Sequence, residues 1–254
     1  MYVVNEEKIR ELTAILKKLN SEGVTEVTRT EALKIVSSID PIELSIAEQR
    51  LIENGMEPQE LRNLCDIHME VLSDELVKLR KKIEPGHMLD TLIIEHEKIK
   101  EFLTELEALN FDIQSLNNYN ENPELFIKLG ELADNILSAE KHHKREEDVL
   151  FPELEKREIT GPTRIMRMEH DDLREKKRLL KEASIEAEKM NFKESTKKID
   201  ELSKYIVFNL RDHIYKENYI LYPTAIDAIK DNTLWIEMKN KSDEIGYCPF
   251  TPKN

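Results

Sequence analysis

Two stretches of the 254-residue chain place a histidine and a glutamate four residues apart in nearly the same context. The first is HHKREEDVLFP, residues 142–152, and the second is HIYKENYILYP, residues 213–223. Aligned without gaps, His142 falls on His213, Glu146 on Glu217, Leu150 on Leu221, Phe151 on Tyr222 and Pro152 on Pro223. On a helix, residues four apart lie on one face, one turn apart. An imidazole nitrogen and a carboxylate oxygen so placed suit a first-row transition metal, and two such faces turned inward suit a pair of metals. The apolar residues after each Glu continue the helix into a packed core, and the Pro marks where it bends or stops.

Four long helical patterns must position these groups, over about 88–108, 123–155, 162–190 and 194–229. The seam of the first runs Leu92, His96, Ile99, Leu103, Leu106; the third carries Met166, His170, Leu173, Leu180; the fourth carries Ile206, Leu210, His213, Glu217, Ile220. Three-and-four spacing lets all four bury their stripes against one another. Upstream, residues 5–20 show helical spacing at Ile9, Leu12, Ile15, Leu16 and Leu19, a short helix is expected at 29–38, and Asp40-Pro41 and Glu57-Pro58 open two more. Pro85-Gly86 breaks the pattern. The expected fold is all-α: an up-down four-helix bundle preceded by a small helical domain. The boundaries are 1–83 for the N-terminal domain, 84–230 for the bundle with its metal site and 231–254 for a C-terminal tail.

One histidine on an apolar seam is ordinarily a satisfied core residue. Polar interruptions near the middle of all four helices are a different matter, because a buried Glu beside a buried His is costly unless paired or metal-bound. The second helix leaves a choice. Alignment of the two copies selects His142 with Glu146, whereas the helical wheel relative to Leu132, Ile136 and Leu150 favours His143 with Glu147. We take the first pair, because the Leu-Phe-Pro anchor sets the register, and keep a bridging role for Glu147 open. Cys65 and His68, three apart, read better as core packing than as a metal pair, and His87 reads as a helix-terminal residue. Tyr215 and Tyr219 flank the fourth-helix pair and read mainly as packing residues.

Composition narrows the class. Lys and Arg total 38 against 52 Asp and Glu, a net charge of −14, and no basic stripe is interleaved with aromatics. That argues against nucleic acid and against anionic membrane surfaces as partners. Two cysteines make no disulfide framework, and neither a signal peptide nor a membrane-spanning run is present, so a cytoplasmic location is expected.

The residues of 87–229 resemble the hemerythrin-like (HHE cation-binding) domain. The resemblance rests on His96 in an EH pair, on both H-x-x-x-E motifs with their LFP-type endings, and on MEHDDL around His170. Residues 1–83 also resemble an uncharacterised all-helical domain that often precedes such domains, through IENGMEPQEL and LCDIH. The resemblance implies a non-haem di-iron centre, oxo- or hydroxo-bridged, with manganese or zinc as alternative metals. It implies His96, His142, Glu146, His170, His213 and Glu217 as ligands, with the two Glu as bridges. Oxygen-carrying hemerythrins have a further His four residues before the equivalent of His170; here that position is Met166. The departure argues against reversible oxygen carriage. It leaves a protein that binds or reacts with oxygen, nitric oxide or peroxide, with a sensor or signalling adaptor, iron storage or iron–sulfur repair as the alternatives. In the sensor reading, the N-terminal domain would engage a protein partner.

Overall fold

The computed structural model describes residues 6–23, 25–36, 38, 80–81 and 83–252. These residues are helical throughout their regular segments, with no strand among them. They fall into two compact units. One takes the described residues up to Glu84 together with Leu154–Arg164 and Tyr215–Lys230; the other takes Pro85–Glu153, Ile165–Ile214 and the residues from Asp231 onward.

In the first unit, α1 (Glu6–Glu22) and α2 (Glu26–Val36) form an N-terminal pair. Leu12, Ile15, Leu19 and Ala32 are buried. Thr25 and Thr28 start α2 reciprocally: the Thr25 N–H donates to Thr28 Oγ1 at 2.8 Å, and the Thr28 N–H donates to Thr25 Oγ1 at 3.2 Å. Each side chain thus satisfies an amide that the helix leaves without a partner. The helices expected from Asp40 and Glu57, with Cys65 and His68, lie outside the described residues.

The second unit is built on α3 (Met88–Gln114), α4 (Pro123–Leu137), α5 (Glu140–Arg145) and, apart from the start of the first and the end of the second, α7 (Gly161–Glu186) and α8 (Phe192–Lys216). His87 caps α3, its Nδ1 accepting from the Leu89 N–H at 3.2 Å. Pro123 opens α4 where its missing N–H costs nothing. Ile99, Leu103, Leu106 and Ile113 of α3 share one core with Leu129 and Ile136 of α4, Leu173 and Leu180 of α7, and Ile206 and Leu210 of α8. Short connections between them make neighbours antiparallel. Gly130 allows a close approach of α4 to α7, since a Cβ there would lie 3.0 Å from Ser184 Oγ. After α8, α10 (Asn232–Ile245) follows the short α9 (Tyr222–Ala228) and packs against α3 and α5. No described helix is long and apolar enough to cross a membrane.

The two repeated motifs share a local distortion. Glu146–Leu150 and Glu217–Leu221 are each wound as one π turn, with the Phe151 and Tyr222 N–H groups reaching back to the Glu146 and Glu217 carbonyls. A proline ring in an α-helix strikes the carbonyl four residues back. Widening the turn before Pro152 and Pro223 makes room for the ring. The helices therefore run on past the prolines, as the expected spans to 155 and 229 require. They continue as α6 (Phe151–Glu155) and α9.

At the end of α6 the chain turns through Glu158, whose φ is +65°. The Ile159 and Glu158 N–H groups donate to Leu154 O at 3.1 Å and Glu155 O at 3.0 Å, which closes the helix in a Schellman motif. Glycine is the favoured residue at that left-handed position. Glu158→Gly should stabilise the protein by about 0.5–1 kcal/mol, read as a raised thermal midpoint; a lowered midpoint would contradict the motif.

Candidate metal centre

Five histidines from α3, α5, α7 and α8 are buried in the second unit: His96, His142, His143, His170 and His213, none more than 2% exposed. His96 Nε2 and His142 Nε2 lie 3.1 Å apart. His143, His170 and His213 form a second group, with one ligand atom from each within 4.8 Å of the others. Glu146 lies between the groups, its Oε2 being 3.6 Å from His142 Nε2 and 3.5 Å from His170 Nε2. Glu217 is 1% exposed and stands one turn beyond His213 on the continuing helix.

A carboxylate from a neighbouring segment holds the outer nitrogen of three of these rings. His142 Nδ1 meets Glu95 Oε2 at 2.8 Å, His213 Nδ1 meets Glu169 Oε2 at 2.8 Å, and His170 Nδ1 meets Glu147 Oε1 at 2.7 Å. A carboxylate at Nδ1 selects the tautomer with the proton there and leaves the Nε2 lone pair for a metal. Two of the three braces repeat. Glu95 precedes His96 on α3 and holds His142; Glu169 precedes His170 on α7 and holds His213. Adjacent residues on a helix point about 100° apart, so each Glu-His dipeptide sends its His inward and its Glu to the next helix.

His142 is therefore the geometric counterpart of His213, and His96 of His170. His143 has no counterpart, because Ile214 occupies its place in the second copy. Its ring stacks on His170, with centroids 4.0 Å apart and planes at 15°. Its Nδ1 makes no hydrogen bond. Burial pushes its pKa well below the ordinary value, and nearby His170, Lys177, His142 and His213 charges push the same way. A neutral imidazole is the form a metal needs. Glu147, the alternative to Glu146, faces outward to His170 Nδ1 and is clamped by Arg174 Nη2 at 2.9 Å. Met166 is buried at 3%. His87 stands apart from both groups, its ring against Trp235 at 4.6 Å. Tyr215 and Tyr219 stack on each other, with centroids 4.6 Å apart.

Sequence reasoning had not singled out Glu95 and Glu169, although each stands in a Glu-His dipeptide and that recurrence was a readable signal. Arg145 was missed as well. It is 1% exposed, and its Nη2 donates to Glu95 Oε2, the oxygen that also faces His142. Burial would raise the Glu95 pKa. The His142 hydrogen bond and charge, the Arg145 charge and the Thr251 hydroxyl outweigh it and hold the carboxyl at about 2.

This donor set of imidazoles and carboxylates, without sulfur, suits first-row metals such as iron, manganese or zinc. His143 Nδ1 is buried without a hydrogen bond, and a polar atom so placed is costly. The residues present fit a bound cation.

The Glu95 shift sets a pH dependence. Its folded value of about 2 lies below the ordinary 4.5, so its contribution to stability is fully present above pH 4.5 and is lost as the pH falls towards 2. The contribution is on the order of 3 kcal/mol. Glu95→Gln should flatten the acid limb of an unfolding-versus-pH series taken with chelator present; equal slopes in the two proteins would contradict the assignment.

Residues 12–78 match a family of unknown function (DUF438). No curated protein matches the chain by sequence. Residues 87–225, which span the bundle helices and both repeated motifs, match the hemerythrin HHE cation binding domain. That match covers more than half of the chain, and the protein belongs to the hemerythrin HHE cation-binding family.

Proposed function

We propose that the bundle holds two iron ions and that the site binds or reacts with a small diatomic molecule or peroxide. The observation that carries this reading is the set of three carboxylate braces, which leave His142, His170 and His213 presenting Nε2 to one buried region. In this assignment His96 and His142 hold one metal, and His143, His170 and His213 hold the other. Glu146 lies within reach of both groups and serves as a shared carboxylate. Glu217 takes the same role by its place in the repeat. Bound iron supplies the electrons and the affinity for the small molecule.

The chain's own residues do the rest. Glu95, Glu147 and Glu169 fix the ring orientations and raise the basicity of the nitrogens they face. Arg145 and Arg174 balance the first two of these carboxylates. The surrounding apolar core keeps water away from the inward face. The seven proposed ligands are each at most 2% exposed, so the reactant must be small.

Anaerobic reconstitution with ferrous iron tests the assignment. Wild type should take up about two irons per chain, the expectation for a two-metal site, and show a changed visible spectrum with nitric oxide. His143→Ala and His213→Ala should each lose at least half of the metal. A wild-type chain that takes up no iron, or His143→Ala that keeps its full complement, would overturn the assignment.

A further inference from the structure

The segment after α10, Gly246–Pro252, lies beyond the 87–225 match, yet it reaches the brace behind His142. Thr251 Oγ1 donates to Glu95 Oε1 at 2.5 Å. The other oxygen, Oε2, receives Arg145 Nη2 and faces His142 Nδ1 at 2.8 Å. The two carboxylate oxygens are thus divided: one is occupied by the tail, the other by the histidine and its arginine. Glu95 is 0% exposed, so no bulk water can replace a lost donor.

The tail is fastened on either side of that hydroxyl. The Tyr247 ring lies against the Arg145 guanidinium, with Cζ 4.9 Å from the centroid. Phe250 meets Phe102 of α3 edge-on at 5.3 Å and packs against the bundle core. Cys248 is 4% exposed, and its carbonyl accepts from the Thr251 N–H at 3.0 Å, closing the turn that presents the hydroxyl. Gly246 lets the chain leave α10 at a φ of +84°, where a Cβ would lie 3.0 Å from Lys141 Nζ. Further back, Ser242 and Met88 touch across α10 and α3.

We infer that Thr251 is a positioning residue for the metal centre: its hydroxyl, delivered by the C-terminal segment, orients Glu95 so that His142 keeps its proton on Nδ1 and offers Nε2 inward. The inference rests on the metal-binding reading for its consequence, while the tautomer of His142 is a property of the chain itself. With the hydroxyl gone, the vacated Oε1 competes with Oε2 for Arg145 and His142. The carboxylate rotates, and the ring loses its single orientation. Outer partners of ligand histidines typically change metal affinity 10–100-fold when removed.

The test uses the full chain and three proteins: wild type, Thr251→Val, which keeps the shape and removes the hydroxyl, and Thr251→Ser, which restores it. Imidazole nitrogen shifts are measured by NMR before and after adding zinc, a diamagnetic probe, and zinc affinity is measured by chelator competition. Wild type and Thr251→Ser should show His142 protonated at Nδ1. Thr251→Val should show mixed tautomers and roughly tenfold weaker zinc binding, with the helical circular dichroism unchanged. An unchanged His142 signature in Thr251→Val would overturn the inference, whether or not affinity falls. A changed signature in a chain whose wild type takes up neither zinc nor ferrous iron would uphold the positioning role and remove the metal-binding reading instead.

Discussion

The bundle depends on one constraint: imidazoles and carboxylates buried at its centre must each have a partner that water cannot supply. An isolated buried charge is so costly that it is neutralised or the fold gives way. Here the cost is met by pairing across helices. Glu95 on α3 meets His142 on α5, and Glu169 on α7 meets His213 on α8. These contacts join helices far apart in sequence, so the same bonds that orient the rings also fix how the helices sit. The His142 hydrogen bond, and after it the buried Arg145, keep Glu95 ionised, and an ionised Glu95 favours the His142 proton on Nδ1.

The repeat within the chain is a repeat of this device. Each half contributes a Glu-His dipeptide, a histidine braced by the other half-step of the same motif, a glutamate one turn later, a π turn and a proline. The π turn lies just before the proline in both halves, and π turns inside helices are frequent at functional sites. The symmetry is broken at His143 and Ile214. That break gives one group two histidines and the other three, so the two halves cannot present identical environments to a metal.

Much of this was legible in the sequence, for reasons that can be named. The seams of α3, α7 and α8 followed from three-and-four spacing, because burial along a helix leaves that period behind. The repeated motif was visible because spacing, proline and apolar ending all coincided. The choice between His142 and His143 was not legible. Both face the interior from adjacent positions about 100° apart, one towards His96 and the other onto His170, and a wheel that allows one inward face must reject one of them. The π turns before Pro152 and Pro223 were also hidden, since the apolar spacing continues through the prolines and does not show how the backbone makes room for the ring. Thr251 carried no signal at all. It sits in an irregular tail without periodicity, and its role depends on where that tail comes to rest.

X-ray absorption at the iron edge on the reconstituted protein tests the paired iron site most directly. The spectrum should show nitrogen and oxygen neighbours with an imidazole signature and a second iron at roughly 3.5–4 Å, as in other two-metal sites. A single iron with no metal neighbour, or sulfur in the first coordination sphere, would contradict it.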